Sequence, residues 1–179
     1  RNKAKLNDDI YVTGDLGDSF TGLQILKNKI KITKKIQDYF LKEYYKPDIQ
    51  INLTKQLFKF ANTSIDVSDG LIGDLEKMIN KQNLSYVLYE NNIPISKSLL
   101  NLIKRKKLNK SNLVSNGDDY QVLFTASPIK SGIIYNTSKN LGIKITKIGK
   151  INSGSRKSIV IDQKGKQILL KNKGYTHKF

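Results

Sequence analysis

Apolar residues along this chain recur at two spacings, alternation typical of strands and the three-to-four spacing of helices, and the switches between them lay out its elements. Ile10-Tyr11-Val12-Thr13 predicts a strand that ends in the turn Gly14-Asp15-Leu16-Gly17-Asp18-Ser19. Phe20, Leu23, Ile25 and Leu26 then predict a helix from about Ser19 to Lys27, with Asp18 read as its N-cap in preference to a ligand and Gly22 marking a close backbone approach. Ile32, Ile36, Tyr39, Phe40 and Tyr44 mark a second helix stopped by Lys46-Pro47. The third helix is expected over Ile51–Phe60, with Leu57, Phe58, Phe60 and Ala61 read as its end.

A fourth helix follows Gly70, carried by Leu71, Ile72, Leu75, Met78 and Ile79. Tyr86–Tyr89 is a short strand, Leu99, Leu100, Leu102 and Ile103 give a helix beginning near Ser96, and Tyr120–Phe124 is a strand. Pro128 opens a helix to about Asn140, and Ile143–Ile151 alternates as a strand. Ser158–Ile161 and Gln167–Leu170 flank a hairpin turn at Gln163-Lys164-Gly165. No repeat or linker divides these elements. The expectation is one α+β domain over residues 1–179, a mixed β-sheet with helices on at least one face.

Composition narrows the chemistry. No apolar run is long enough to span a membrane, and no basic-then-apolar start resembles a signal peptide, so a cytoplasmic setting is expected. The absence of cysteine excludes disulfides and thiolate metal sites, and one histidine, His177, excludes a multi-histidine zinc site. Any metal is then a hard, oxygen-liganded ion such as Mg²⁺. The net charge of +17 comes from 29 lysines and three arginines, a composition that argues against base-reading nucleic-acid modules, which favour arginine with interleaved aromatics. The lysines read as a solvated surface that attracts phosphorylated small molecules. Arg1 in place of methionine, followed by a polar stretch, suggests a piece of a longer protein.

Two acidic stretches remain, each beside a predicted strand and a glycine: Ile65-Asp66-Val67-Ser68-Asp69-Gly70-Leu71 and Ser115-Asn116-Gly117-Asp118-Asp119. On spacing alone the first is a turn or strand end before a helix, where backbone N–H groups are free and an acid or serine serves as a cap. Carboxylates converging from two loops repel each other unless a cation neutralises them, which points to Mg²⁺ with substrate phosphates. No Walker or protein-kinase signature is present.

Residues 65–71 resemble the I-D-V-S-D-G-L motif of the thiamine-monophosphate kinase family, in the aminoimidazole-ribonucleotide-synthetase-like superfamily. Tyr11–Leu23 is similar to that family's V-T-G-T-x-G-D-x-x-x-G-L, Asn116–Thr125 to its G-G-E-D-Y-E-L-L-F-T, and Ile145–Ile151 to its I-T-x-I-G-x-I. Gly174-Tyr175-Thr176-His177-Lys178-Phe179 resembles G-Y-D-H-F apart from Thr176 and the inserted Lys178. The resemblance implies ATP-dependent phosphorylation of thiamine monophosphate to thiamine diphosphate. It implies Asp66 and Asp69 as Mg²⁺ ligands, Arg1 and Ser68 as ATP contacts, and Asp118 and Tyr175 as substrate contacts, with no catalytic side chain assigned. It also implies that the chain is a C-terminal domain of a homodimeric enzyme, that the family's N-terminal half is absent, and that the isolated domain is not a competent kinase.

Several positions depart from the family pattern. Asp118 is one methylene shorter than the family's glutamate, Gln121 and Thr176 stand for acids, Asp15 for threonine, and Asn116 for glycine. Those departures keep two alternatives open, a decayed non-catalytic remnant and a superfamily relative with another phosphate acceptor. A basic nucleic-acid module is a third class, with steep salt dependence as its signature.

Overall fold

Alternating side chains make a two-faced sheet, and each face needs its own helical cover. The computed structural model describes residues 2–169, so the expectations placed on Arg1, Tyr175, Thr176 and His177 lie outside the described residues. The elements are β1 (Asp9–Thr13), α1 (Asp18–Leu26), α2 (Lys34–Tyr45), α3 (Ile51–Leu57), β2 (Ala61–Asp66), α4 (Leu71–Met78) and β3 (Leu84–Tyr89). They continue as α5 (Lys97–Lys106), α6 (Lys110–Val114), β4 (Val122–Ala126), α7 (Ser131–Leu141), β5 (Ile145–Ser153), β6 (Ile159–Ile161) and β7 (Gln167–Ile168).

Among the described residues seven strands form one sheet in the order β2-β4-β1-β5-β3-β6-β7. The β3–β6 pair is parallel and the other pairs are antiparallel, so the sheet is mixed, as expected. Ile10, Val12, Leu123, Ile148 and Ile151 project to one face, where α4 supplies Leu71, Ile72, Leu75 and Met78. Tyr11, Phe124 and Ala126 project to the other, against Leu53 of α3, Phe60 and Ile134 of α7. There Tyr11 stacks on Phe124 with ring centroids 5.3 Å apart. Helices therefore cover both faces. A third cluster joins α1, α2 and α5 through Ile25, Phe40, Leu99 and Leu102.

The strand expected over Tyr120–Phe124 begins at Val122 and runs to Ala126, because Tyr120 is left-handed and not extended. Two further elements differ from the sequence reading. The third helix ends at Leu57; Phe58 is 80% exposed and Ala61 already belongs to β2. An apolar stretch interrupted only by Lys59 hid the change of period, although Asn62, Ser64 and Asp66 alternate with the buried Thr63 and Ile65. The short α6 has no apolar periodicity to announce it; it is capped by the Asn109 side chain, which accepts the Asn112 N–H at 2.9 Å.

Gly22 is the close approach its position suggested. A Cβ there would lie 2.3 Å from the Phe40 carbonyl oxygen and 2.9 Å from Tyr44 Cβ, so α1 and α2 touch backbone to backbone. Helix propensity alone favours Gly22→Ala by about 1 kcal/mol. The clash outweighs it: the variant should lose about 1–3 kcal/mol, read as a lower urea midpoint at unchanged m-value.

Candidate functional site

The site is where two turns meet, and sheet pairing brings them together. β2 and β4 are antiparallel neighbours with Asp66 opposite Val122, so the turn leaving β2 and the turn entering β4 lie at one end of the sheet. The ladder continues past the strands. Val67 N–H donates to the Gln121 carbonyl (2.8 Å), Tyr120 N–H to the Val67 carbonyl (2.9 Å) and Asp118 N–H to the Ser68 carbonyl (2.9 Å). Both glycines sit in this seam. A Cβ on Gly117 would fall 1.7 Å from the Ser68 carbonyl oxygen, and one on Gly70 would fall 2.1 Å from that of Ser115. Gly70 also has φ 116°, which other residues rarely adopt. The two acidic stretches form one structure.

Beyond the glycines, Asp118 (φ 70°) and Tyr120 (φ 51°) are left-handed. Aspartate tolerates that region, whereas a bulky side chain there costs about 1–2 kcal/mol. Asn116, where the family has glycine, is not among the positive-φ residues, so the replacement asks nothing unusual of the backbone. The left-handed residues send Asp118 and Asp119 to different places. Asp118 is half-buried in a cleft of about 420 Å³, together with Ser68, Asp69, Tyr120 and an apolar wall of Phe20 and Leu23. Asp119 turns inward and accepts the N–H groups of Gly17 (2.8 Å) and Ser19 (3.4 Å) at the start of α1.

That replaces the expected cap. Asp18 lies inside α1 as its first residue and makes no capping bond; its carboxyl accepts from Tyr39 Oη (2.7 Å) and Ser96 Oγ (2.9 Å), tying α1 to α2 and α5. Burial pushes Asp18 up to about 6, with those two bonds opposing the shift. Burial also raises Asp119 well above the usual carboxylate range, against the pull of the Gly17 and Ser19 N–H groups and helped by the Asp18 charge.

The first acidic turn departs from expectation in another way. Its N–H groups are not free. Asp74, in the first turn of α4 and 1% exposed, turns one carboxylate oxygen back to accept from Ser68 (2.9 Å), Asp69 (2.8 Å) and Gly70 (3.1 Å). Neither Asp66, Ser68 nor Asp69 caps the helix; Gly70 holds the cap position without a side-chain bond. Lys77 bridges Asp69 and the second oxygen of Asp74, the latter at 3.0 Å. Burial opposes the lysine's charge, but the bonds to Asp69 and Asp74 outweigh it and raise its pKa above the usual value.

Of the sequence-predicted residues, Ser68, Asp69 and Asp118 share the cleft, while Asp66 ends β2 in an exposed position outside that lining. Asp74, Lys77, Phe20, Leu23 and Tyr120 carried no functional expectation; an acid four residues beyond Gly70 was the available signal for Asp74. Gln121, where the family has an acid, is buried and structural: Thr13 Oγ1 donates to its Oε1 (2.7 Å) and its Nε2 donates to the Asp48 carbonyl (3.2 Å). A larger cavity of about 610 Å³ lies between α2 and α5, but Lys31, Arg105 and Lys106 rim it and, among the described residues, no carboxylate lines it.

Among the described residues no three His, Cys, Asp or Glu side chains converge as a metal cluster. Mg²⁺ needs less, one or two carboxylates with phosphate oxygens and water. Burial raises Asp118, and the Asp69 charge raises it further. Two like charges facing one cleft are a donor pair that a divalent cation relieves. The pair fits Mg²⁺ that arrives with a phosphate, and not a metal caged by this chain alone.

Known proteins resemble this chain along nearly its whole length. No protein-family profile matches it. The thiamine-monophosphate kinase of Buchnera aphidicola subsp. Acyrthosiphon pisum (strain APS) is 35% identical over 179 residues, which are 99% of this chain and 54% of that protein. The thiamine-monophosphate kinase of Escherichia coli (strain K12) is 32% identical over 178 residues, again 99% and 54%. A solved structure described as AaThiL complexed with AMPPCP and TMP superposes with a TM-score of 0.78 at 25% identity, covering 99% of this chain and 53% of that one. The chain spans about half the length of the curated relatives it matches. Over 99% of its own length, this chain is homologous to the C-terminal part of the thiamine-monophosphate kinases.

Proposed function

We propose that this chain is the C-terminal part of an enzyme that transfers the γ-phosphate of ATP directly to thiamine monophosphate, giving thiamine diphosphate and ADP. The observation that carries this reading is the seam at Gly70 and Gly117, which puts Ser68, Asp69 and Asp118 around one cleft. AMPPCP, an ATP analogue, and TMP in the relative's structure support nucleotide and acceptor of this kind.

In this reading Asp69 and Asp118, facing one cleft, hold Mg²⁺ together with the phosphates, Asp66 at the end of β2 stands outside that lining, and Ser68 and Arg1 contact ATP. Asp118 also borders the acceptor, which Tyr175 contacts. When bound, Mg²⁺ supplies charge neutralisation of the phosphates, which in-line transfer chiefly requires. This chain's own part is positioning. Asp74 fixes the 67–70 turn, the Ser68–Asp118 backbone bond fixes the distance between the two acidic turns, and Phe20 and Leu23 exclude water from one side. In-line transfer asks positioning and charge of the described residues, and none of them is assigned as a general base. The remaining ligands come from a segment matching the other half of the relatives, so the 179 residues alone are expected to turn over no substrate. A homodimer of the longer protein and a cytoplasmic location belong to the same proposal; among the described residues no helix is long and apolar enough to cross a membrane.

A second reading, a retained but non-catalytic domain, draws on Lys77, whose ammonium already neutralises Asp69 without a metal. Calorimetry with Mg²⁺–ATP separates the two, because a remnant shows no magnesium-dependent heat.

For the longer protein, ATP-dependent formation of thiamine diphosphate is expected. Asp69→Asn should lower kcat/KM by about 100-fold or more, as removal of a charge-stabilising group does; a variant as fast as wild type overturns the assignment. Asp74→Asn replaces a charged acceptor of three N–H groups with an amide that must also bury its donors. It should cost about 1–3 kcal/mol of stability, measured by urea unfolding.

A further inference from the structure

Lys77 reaches back from α4 to the turn it follows. Its ammonium touches the Asp69 carboxylate and stands 3.0 Å from Asp74 Oδ1. The two carboxylates differ in freedom. Asp74 is buried, with its other oxygen committed to three backbone N–H groups, so it cannot move without unmaking the turn. The Asp69 side chain is 19% exposed, lines the cleft, and faces the like charge of Asp118. The Lys77 side chain is 42% exposed, open enough for its ammonium to change partners while its stem stays on the helix.

We propose that Lys77 is a built-in competitor for the cation at Asp69: its ammonium neutralises that carboxylate until a divalent cation arrives, then withdraws to Asp74. The inference rests on the reading above that the cleft takes Mg²⁺. A ligand that must first displace an internal partner binds with an apparent affinity reduced by the fraction of time its site is open. Lys77 thereby sets a threshold, so that the cation stays only when phosphate oxygens complete its shell. Asp74 keeps the displaced charge local, and the turn keeps its shape in both states.

The test is cation binding by the longer protein in the presence of ATP, with the protein-bound Mn²⁺–ATP complex followed by electron paramagnetic resonance and Mg²⁺–ATP as competitor, at one fixed ionic strength. Lys77→Met keeps the stem and removes the charge. An exposed-to-half-buried ion pair of this kind predicts about two- to fivefold tighter binding. Lys77→Arg should bind like wild type, and Asp69→Asn should bind in neither background. Lys81→Met removes the same charge from the loop after α4 and should shift affinity less than Lys77→Met, which excludes a general field effect. Lys77→Gln serves if the methionine variant melts early. Asp69-dependent binding that Lys77→Met and Lys77→Gln leave unchanged, or that Lys81→Met tightens equally, overturns the competitor and leaves the cleft reading standing. No Asp69-dependent binding in any of these proteins overturns both.

Discussion

One oxygen of one buried carboxylate sets the geometry on which the candidate site depends. Asp74 gathers three successive N–H groups that the end of β2 and the start of α4 would leave without partners. With those donors satisfied internally, the carbonyls of Val67 and Ser68 point outward and become acceptors for Tyr120 and Asp118. The second turn is thus docked by the first, and the first is docked by its own helix. Glycine at 70 and 117 is required because carbonyl oxygens occupy the space a side chain would fill.

This hierarchy explains which features were legible in the sequence. Periodicity located most elements, because strands such as Ile10–Thr13 and helices such as Leu71–Met78 carry their own apolar faces. It failed at Phe58–Ala61, where four residues serve neither a helix nor a strand face consistently, and at Lys110–Val114, which is held by a cap and by tertiary contacts. The motif residues were legible as a set, but their physical roles were not. Asp18 and Asp119 looked like a cap and a ligand candidate; the structure makes Asp119 the cap, given from across the chain, and Asp18 a buried tie to Tyr39 and Ser96. Local spacing cannot reveal a cap supplied by a residue about a hundred positions away.

Charge is distributed with the same logic. The chain as a whole is strongly basic, yet its acids are concentrated where backbone N–H groups or other polar hydrogens can receive them. Asp74 and Asp119 are spent on structure and are buried. Asp69 and Asp118 are left partly exposed across one cleft, and their mutual repulsion marks them as the pair with a reason to bind something. Asp66 stands just outside.

β2 has β4 on one side and, among the described residues, no strand on the other. An edge strand is a template for pairing with another copy. Here the strand that anchors the cleft is also the sheet's border among the described residues, so strand pairing holds the turn at its end from the β4 side alone. A net charge of +17 raises the electrostatic cost of unselective pairing at such an edge, and salt lowers that cost as it screens the charge, so any specific contact there must bring its own complementary acids.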